Sequence, residues 1–202
     1  MLRLRTFFTA FLVIILANFA FAYQFYGYPY VQKIKNFTLT DHNGNKVSLS
    51  DFKGKYLLVF FGYTYCPDVC PTSMFRISET LKHLGKYKDK VHVLFISVDP
   101  ERDTPELLKK FISFYDPTGK YITGLVGSPE EIKKVAKMFR AYYEKVPLKD
   151  NPEVGYLVDH TAFIYLLDKN GIMRLIFRPA NDDPEKIAQD IIQVIKFFGD
   201  GE

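Results

Sequence analysis

Three observations place this 202-residue chain among the α/β proteins. Residues 56–61 and 91–98 are continuous apolar runs, as strands buried on both faces require. Segments with helical spacing alternate with those runs. Two Asn-Gly pairs, Asn43-Gly44 and Asn170-Gly171, each stand between short strand-like stretches and mark hairpins.

In chain order, residues 23–35 are rich in Tyr and Gly and read as a linker. Phe37-Thr38-Leu39-Thr40 and Lys46-Val47-Ser48-Leu49 flank Asn43-Gly44 and form the first hairpin. Residues 56–61 are the first central strand, residues 72–86 a helix, and residues 91–98 the next buried strand. Asp103 or Thr104 caps a second helix, with Pro105 in its first turn and Leu107, Leu108 and Phe111 on its apolar face. A short strand is predicted near residues 121–126. The helix over residues 129–143 opens on Ser128-Pro129-Glu130-Glu131, a capping serine followed by proline and two acids. Residues 146–159 read as an irregular excursion, and residues 161–167 and 172–177 as the second hairpin. Residues 184–198 form a closing helix with Ile187, Ile191, Val194 and Phe198 on one face. This order contains the thioredoxin arrangement, with an N-terminal β-hairpin added and an insertion before the last β-hairpin. The folded domain is expected over residues 36–199.

Hydrophobic residues make up 48% of the chain and charged residues 25%, an ordinary globular composition. The net charge of +4 overstates the basicity of the domain. Residues 1–22 hold Arg3 and Arg5 and no acid, so the rest carries 25 of the 27 basic residues against all 23 acids. Such a balance argues against a nucleic-acid partner. Arg3 and Arg5, the apolar stretch of residues 7–16 and Ala20-Phe21-Ala22 before Tyr23 read as a signal peptide with its cleavage site. An uncleaved tether through residues 7–22 is the alternative. Both place the domain outside the cytoplasm, in a bacterial periplasm, either soluble or anchored to the inner membrane.

Cys66 and Cys70 are the only cysteines, and they lie on the turn between the first central strand and its helix. Pro71 favours a helix start at Pro71 with Cys70 near the cap, where the helix dipole lowers the thiol pKa. Thiolates serve both disulfide exchange and metal binding. An inert pair or a permanent disulfide is the bland alternative. Three residues separate the cysteines, a bite wide enough to admit an ion between the sulfurs. Structural zinc and iron–sulfur clusters take four ligands, whereas a three-ligand copper site needs one more donor.

Four histidines are available. His42 beside the Asn43-Gly44 turn reads as solvated, His83 as the outer face of a helix, and His92 as the start of a strand. His160 precedes the late strand that the thioredoxin arrangement lays against the cysteine turn. Ligand and structural readings of His160 both stand at this point. Asp68 and Asp159 are the nearest acids: Asp68 as a loop cap or a supporting group, Asp159 as a group orienting His160. Asp99-Pro100-Glu101-Arg102-Asp103-Thr104-Pro105 is explained by local capping and a salt bridge. A thiol peroxidase would need an arginine beside its cysteine, and the cysteine segment has none before Arg76.

Phe61-Gly62-Tyr63-Thr64 with Cys66-Pro67-Asp68-Val69-Cys70-Pro71 resembles the signature of the Sco/SenC proteins. Residues 97–105 resemble that family's second motif, and Tyr156 with Asp159-His160 its third. The resemblance covers roughly residues 33–198. It implies a copper chaperone, binding one Cu(I) or Cu(II) ion through Cys66, Cys70 and His160. Its partner would be subunit II of cytochrome c oxidase, whose dinuclear copper centre it helps to assemble, with another copper protein as donor. A thiol–disulfide reductase acting on that subunit's cysteines is the other function the resemblance implies. Thr161-Ala162 stands where a serine is expected after the histidine. Residues 146–159, with Pro147, Pro152 and Gly155, are expected to be mobile and to move His160 relative to the cysteines.

Overall fold

The computed structural model describes residues 23–148, 155–179 and 181–199. The signal-peptide or tether reading of residues 1–22 lies outside them, as does Pro152. Among the described residues no helix is long and apolar enough to cross a membrane.

The strands are β1 (Tyr28–Lys33), β2 (Thr38–Asp41), β3 (Lys46–Ser48), β4 (Tyr56–Gly62), β5 (Val91–Ser97), β6 (Ile122–Val126), β7 (Tyr143–Pro147), β8 (Tyr156–His160), β9 (Ile164–Leu167) and β10 (Ile172–Phe177). The helices are α1 (Val69–His83), α2 (Pro105–Ser113), α3 (Pro129–Phe139) and α4 (Pro184–Phe198). Eight strands form one mixed sheet in the order β1-β10-β9-β4-β5-β6-β2-β3, and β7 pairs with β8 separately. β4, β5 and β6 run parallel, while β9 is antiparallel to β4. This is the thioredoxin-like α/β arrangement, with the β2–β3 hairpin at one edge and β7–β8 inserted before the last hairpin.

Every residue of β4 is buried, which explains why its sequence does not alternate. Phe60 and Phe61 point to opposite faces, as successive strand residues must. Phe60 packs beside Phe95, which meets Phe111 of α2, whereas Phe61 packs against Phe139 of α3. Helices therefore cover both faces of the sheet, and α1 and α4 pack on one another.

Four sequence expectations need correction. The segment 23–35 is not only a linker, because β1 pairs antiparallel with β10 as an edge strand. Its ladder partners lie more than a hundred residues away, beyond any local signal. The helix of residues 129–143 ends at Phe139, where Arg140 adopts a left-handed conformation (φ 54°) and frees Tyr143 for β7. The excursion of residues 146–159 is bounded by regular structure: β7 and β8 pair over five positions, from Tyr143 with His160 to Pro147 with Tyr156. The second hairpin begins at Ile164, not at Thr161, whose N–H donates to the Tyr142 carbonyl and so belongs to the β7–β8 ladder.

Candidate metal centre

β4 ends at Gly62, and the chain turns through Tyr63, Thr64 and Tyr65 into Cys66, whose N–H donates to the Tyr63 carbonyl (3.3 Å). α1 starts at Val69, two residues before the expected Pro71. Proline is compatible with the first turn because N–H groups there have no intrahelical acceptor. Cys70 is thus inside the helix and fully buried, and Cys66 is 7% exposed in the loop before it. Gly62 permits this packing: a β-carbon on it would lie 3.0 Å from Cys70 Sγ and 2.9 Å from the Phe95 ring.

His160 ends β8 and brings its ring to the two sulfurs. The three donor atoms lie within 4.8 Å of one another, with Nε2 at 3.2 Å from Cys70 Sγ. The ring is held edge-on by Phe60 and Tyr63, at centroid distances of 6.1 and 5.9 Å. Its Nδ1 is buried with no hydrogen-bond partner among the described residues. The structure therefore brings together Cys66, Cys70 and His160, which are separated by up to 94 positions in the chain.

Two braces hold the halves of the site. The buried Tyr63 hydroxyl accepts the Val158 N–H of β8 (3.1 Å) and hydrogen-bonds the sulfur of Cys66. Burial pushes its pKa up to about 12, with negative charge on Cys66 adding to the shift. Asp103 accepts from the Thr64 N–H (3.1 Å), the Thr64 hydroxyl (2.5 Å) and the Ser97 hydroxyl (2.5 Å), fastening the cysteine loop to the end of β5. Beside it, Asp99 accepts from Arg102 Nε (2.5 Å) and from the Tyr156 hydroxyl (2.7 Å). The Arg102 guanidinium lies 3.8 Å from the Tyr156 ring centroid. Thr104 does cap α2 and Asp99 does pair with Arg102, so local capping holds for part of this segment. The same residues also clamp the start of β8, which their sequence neighbours could not reveal.

The electrostatics reverse the expectation for Cys70. Its pKa is raised, because its thiol donates to Cys66, because it is buried, and because charge on Cys66 opposes its ionisation. Cys66 is pulled down to about 3 by the hydrogen bond from the Cys70 thiol, and then by His160 and the amides of Asp68 and Cys70; burial works against these. The helix amino end does favour a thiolate. That thiolate is Cys66, which lies in front of the amides, not Cys70, which lies among them.

Neither Asp68 nor Asp159 brings its side chain to the site, so of the two readings open for each acid the supporting one is not seen. Asp68 is exposed and its side chain makes no capping hydrogen bond; it supports Cys66 through its backbone N–H. Asp159 is exposed opposite Glu144 on the ladder, and strand alternation turns it away from the His160 face. His42 is half-buried, not solvated, and its Nδ1 accepts the Gly124 N–H. His92 bonds the Thr123 hydroxyl and stacks on Phe52, and His83 is exposed on α1. Tyr63 and Asp103 are supporting residues that sequence reasoning missed, although both stand in the motif segments 61–64 and 97–105.

A thioredoxin-like sheet with two thiols and an imidazole converging at its first strand-to-helix turn defines a class of thiol-based metal and redox proteins. The SCO1/SenC family profile matches residues 29–196, and the chain belongs to that family. It is 39% identical over 156 residues to protein sco1 of Schizosaccharomyces pombe, covering 77% of this chain and 58% of that protein. The chain thus spans under two thirds of the length of that relative. The structure of Bradyrhizobium japonicum ScoI with copper bound is similar at 49% identity and a TM-score of 0.71, covering 80% of this chain and 99% of that one. BsSco, described with a disulfide switch as a member of the Sco family of cytochrome c oxidase assembly proteins, is similar at 28% identity and a TM-score of 0.66, covering 85% and 95%.

Proposed function

We propose that this chain is an exported copper metallochaperone that binds one copper ion through Cys66, Cys70 and His160. Its recipient is the dinuclear copper centre of cytochrome c oxidase subunit II. The convergence of two sulfurs and one imidazole nitrogen within 4.8 Å carries this reading. Soft thiolates with imidazole suit copper, and a set of three donors leaves a position through which a recipient's ligand can enter. The likeness to copper-bound ScoI supports it. Copper would be held by Cys66 as a thiolate, by Cys70 after it gives up its proton, and by His160 through Nε2, which would leave the ring proton to Nδ1.

Metal analysis of the reduced and oxidised protein tests the proposal. One copper per reduced chain and none per oxidised chain is expected, since a sulfur in a disulfide is no longer a thiolate ligand. Equal copper in both forms would sink it.

The position of the Cys66 thiolate against the Cys70 thiol favours a second reading, thiol–disulfide reduction of the same subunit. Cys66 would attack the partner's disulfide, breaking its S–S bond and forming a mixed disulfide. Cys70, once deprotonated, would displace the partner, leaving a Cys66–Cys70 disulfide and two reduced cysteines on the partner. His160→Ala separates the readings: it should weaken copper binding sharply and leave exchange largely intact. Normal oxidase activity in cells carrying that variant would favour the reductase.

A further inference from the structure

The chain enters the folded domain with no slack. Asp190, buried in α4, accepts from the Tyr23 hydroxyl (2.7 Å) and from the Gly27 N–H (2.8 Å), so one carboxylate ties down both ends of the segment 23–27. Tyr23 meets the Phe25 ring edge-on, and Phe25 meets Phe197 near the end of α4, with centroids 5.1 and 6.3 Å apart. Gly27 permits the close approach, because a β-carbon there would lie 2.5 Å from the Phe177 ring. Residues 7–22, immediately before this segment, include no charged side chain.

Around this entry point the surface is aromatic. Tyr26, Tyr28, Phe197 and Phe198 are all exposed, Phe197 by 59%. Cations lie over three of the rings: Lys186 Nζ is 4.9 Å from the Tyr26 centroid, the Arg178 guanidinium 4.6 Å from that of Tyr28, and the Arg174 guanidinium 3.8 Å from that of Phe198. Arg174 is paired with Asp168, whereas Lys186, Arg178 and Lys196 make no ion pair among the described residues. Asp182 and Asp183 accept from the amides of Arg178 and Glu185, and Glu185 lies beside Gln189. These three acids balance the three unpaired cations, so the face is aromatic and near neutral, not strongly basic. Aromatic rings with Lys and Arg stems laid over them suit a bilayer interface, where the rings sit at headgroup level and the charged ends reach water.

We propose that this face lies on the membrane: residues 1–22 stay attached and enter the bilayer, and Tyr26, Phe197 and Phe198 settle at the level of its headgroups. The connection is what commits the face to a bilayer. An extended chain spans at most about 3.6 Å per residue, so Tyr26 stands within about 11 Å of Tyr23. A membrane reached at residue 22 therefore meets this surface before any other. With Tyr26 against Lys186 near its start and Phe197 near its end, α4 would lie along the membrane. The inference holds whether the metal centre delivers copper or reduces thiols.

The test uses the full chain in phosphatidylcholine vesicles, with and without bromine near the head of the acyl chains. The chain has no tryptophan, so Phe197→Trp supplies a single fluorophore on this face, and Phe114→Trp supplies one at an exposed position after α2. Denaturant midpoints equal to that of the wild type confirm the fold of each variant. Brominated lipid should quench the fluorophore at position 197, whose emission should also shift to the blue, and should leave the one at position 114 unaffected. Adding Tyr26→Ser should remove most of the quenching at 197 while the protein still sediments with the vesicles; the comparison of the two tryptophan positions stands without it. Equal quenching at both positions, quenching at neither, or quenching that survives Tyr26→Ser overturns the proposal. A blue shift at 197 that grows with protein concentration and is not quenched assigns the face to a second copy of the chain, which also overturns it. A full chain that stays in the supernatant shows that residues 1–22 are no tether and removes the connection on which the proposal rests.

Discussion

At Gly62 the space for a β-carbon is taken by Cys70 Sγ and the Phe95 ring, both inside the core. Gly62→Ala must displace one of them, so it should destabilise the protein by about 1–3 kcal/mol, as overpacking does. The denaturant midpoint checks this, and an unchanged midpoint would mean that the first turn of α1 yields freely. The charge on the cysteines gives a second expectation at this scale. Folding lowers Cys66 from the free-thiol value of 9.0 to about 3. The stability this confers is complete above pH 9.0 and is lost as the pH falls towards 3. Cys70 is raised from the same 9.0, so above that pH its ionisation in the unfolded chain works against folding. The reduced protein should therefore be most stable between neutral pH and about 9, with one thiolate still absorbing in mildly acidic buffer. Cys66→Ser should abolish that absorbance; if Cys70→Ser abolishes it instead, the assignment of the charge is wrong.

Between elements, Asp103 joins the cysteine loop to β5, and Tyr63 joins the same loop to β8. Asp103→Ala leaves the Thr64 N–H and the Ser97 hydroxyl without their acceptor, at a cost of about 1–3 kcal/mol for the buried donor. Because the loop carries Cys66, copper should also dissociate faster from this variant, a change that stopped-flow transfer to a chelator would read. Loss of stability with unchanged transfer would show that Asp103 serves the fold alone. The β7–β8 ladder bears on His160. Pairing of Tyr143 with His160 fixes the backbone of the histidine, so the expected movement of residues 146–159 must act within or against that ladder. Hydrogen exchange of Val158 and His160, with and without copper, decides this. Equal protection in both states means a preformed site and no release by displacement of β8.

Across the whole molecule, the buried β4–β5 pair should be the slowest-exchanging backbone, since both faces of those strands are covered. The alternation of apolar runs with helical periodicity, and the two Asn-Gly turns, were enough to identify the α/β class and the thioredoxin order. Those signals are local: a continuous apolar strand, a capping serine or a turn dipeptide needs only its neighbours. For the same reason Cys66 and Cys70, four positions apart, were legible as a pair. β1 was not legible, because a short edge strand of Tyr, Pro and Gln has a partner only once β10 is in place. The sequence by itself determined the family, the strand-to-helix turn and the sulfurs it carries. Tertiary structure alone decided that His160 Nε2 stops 3.2 Å from Cys70, that Cys66 holds the charge, and that Asp68 and Asp159 face solvent. Those outcomes depend on burial and on contacts between residues about ninety positions apart, and neither exists until the sheet has closed.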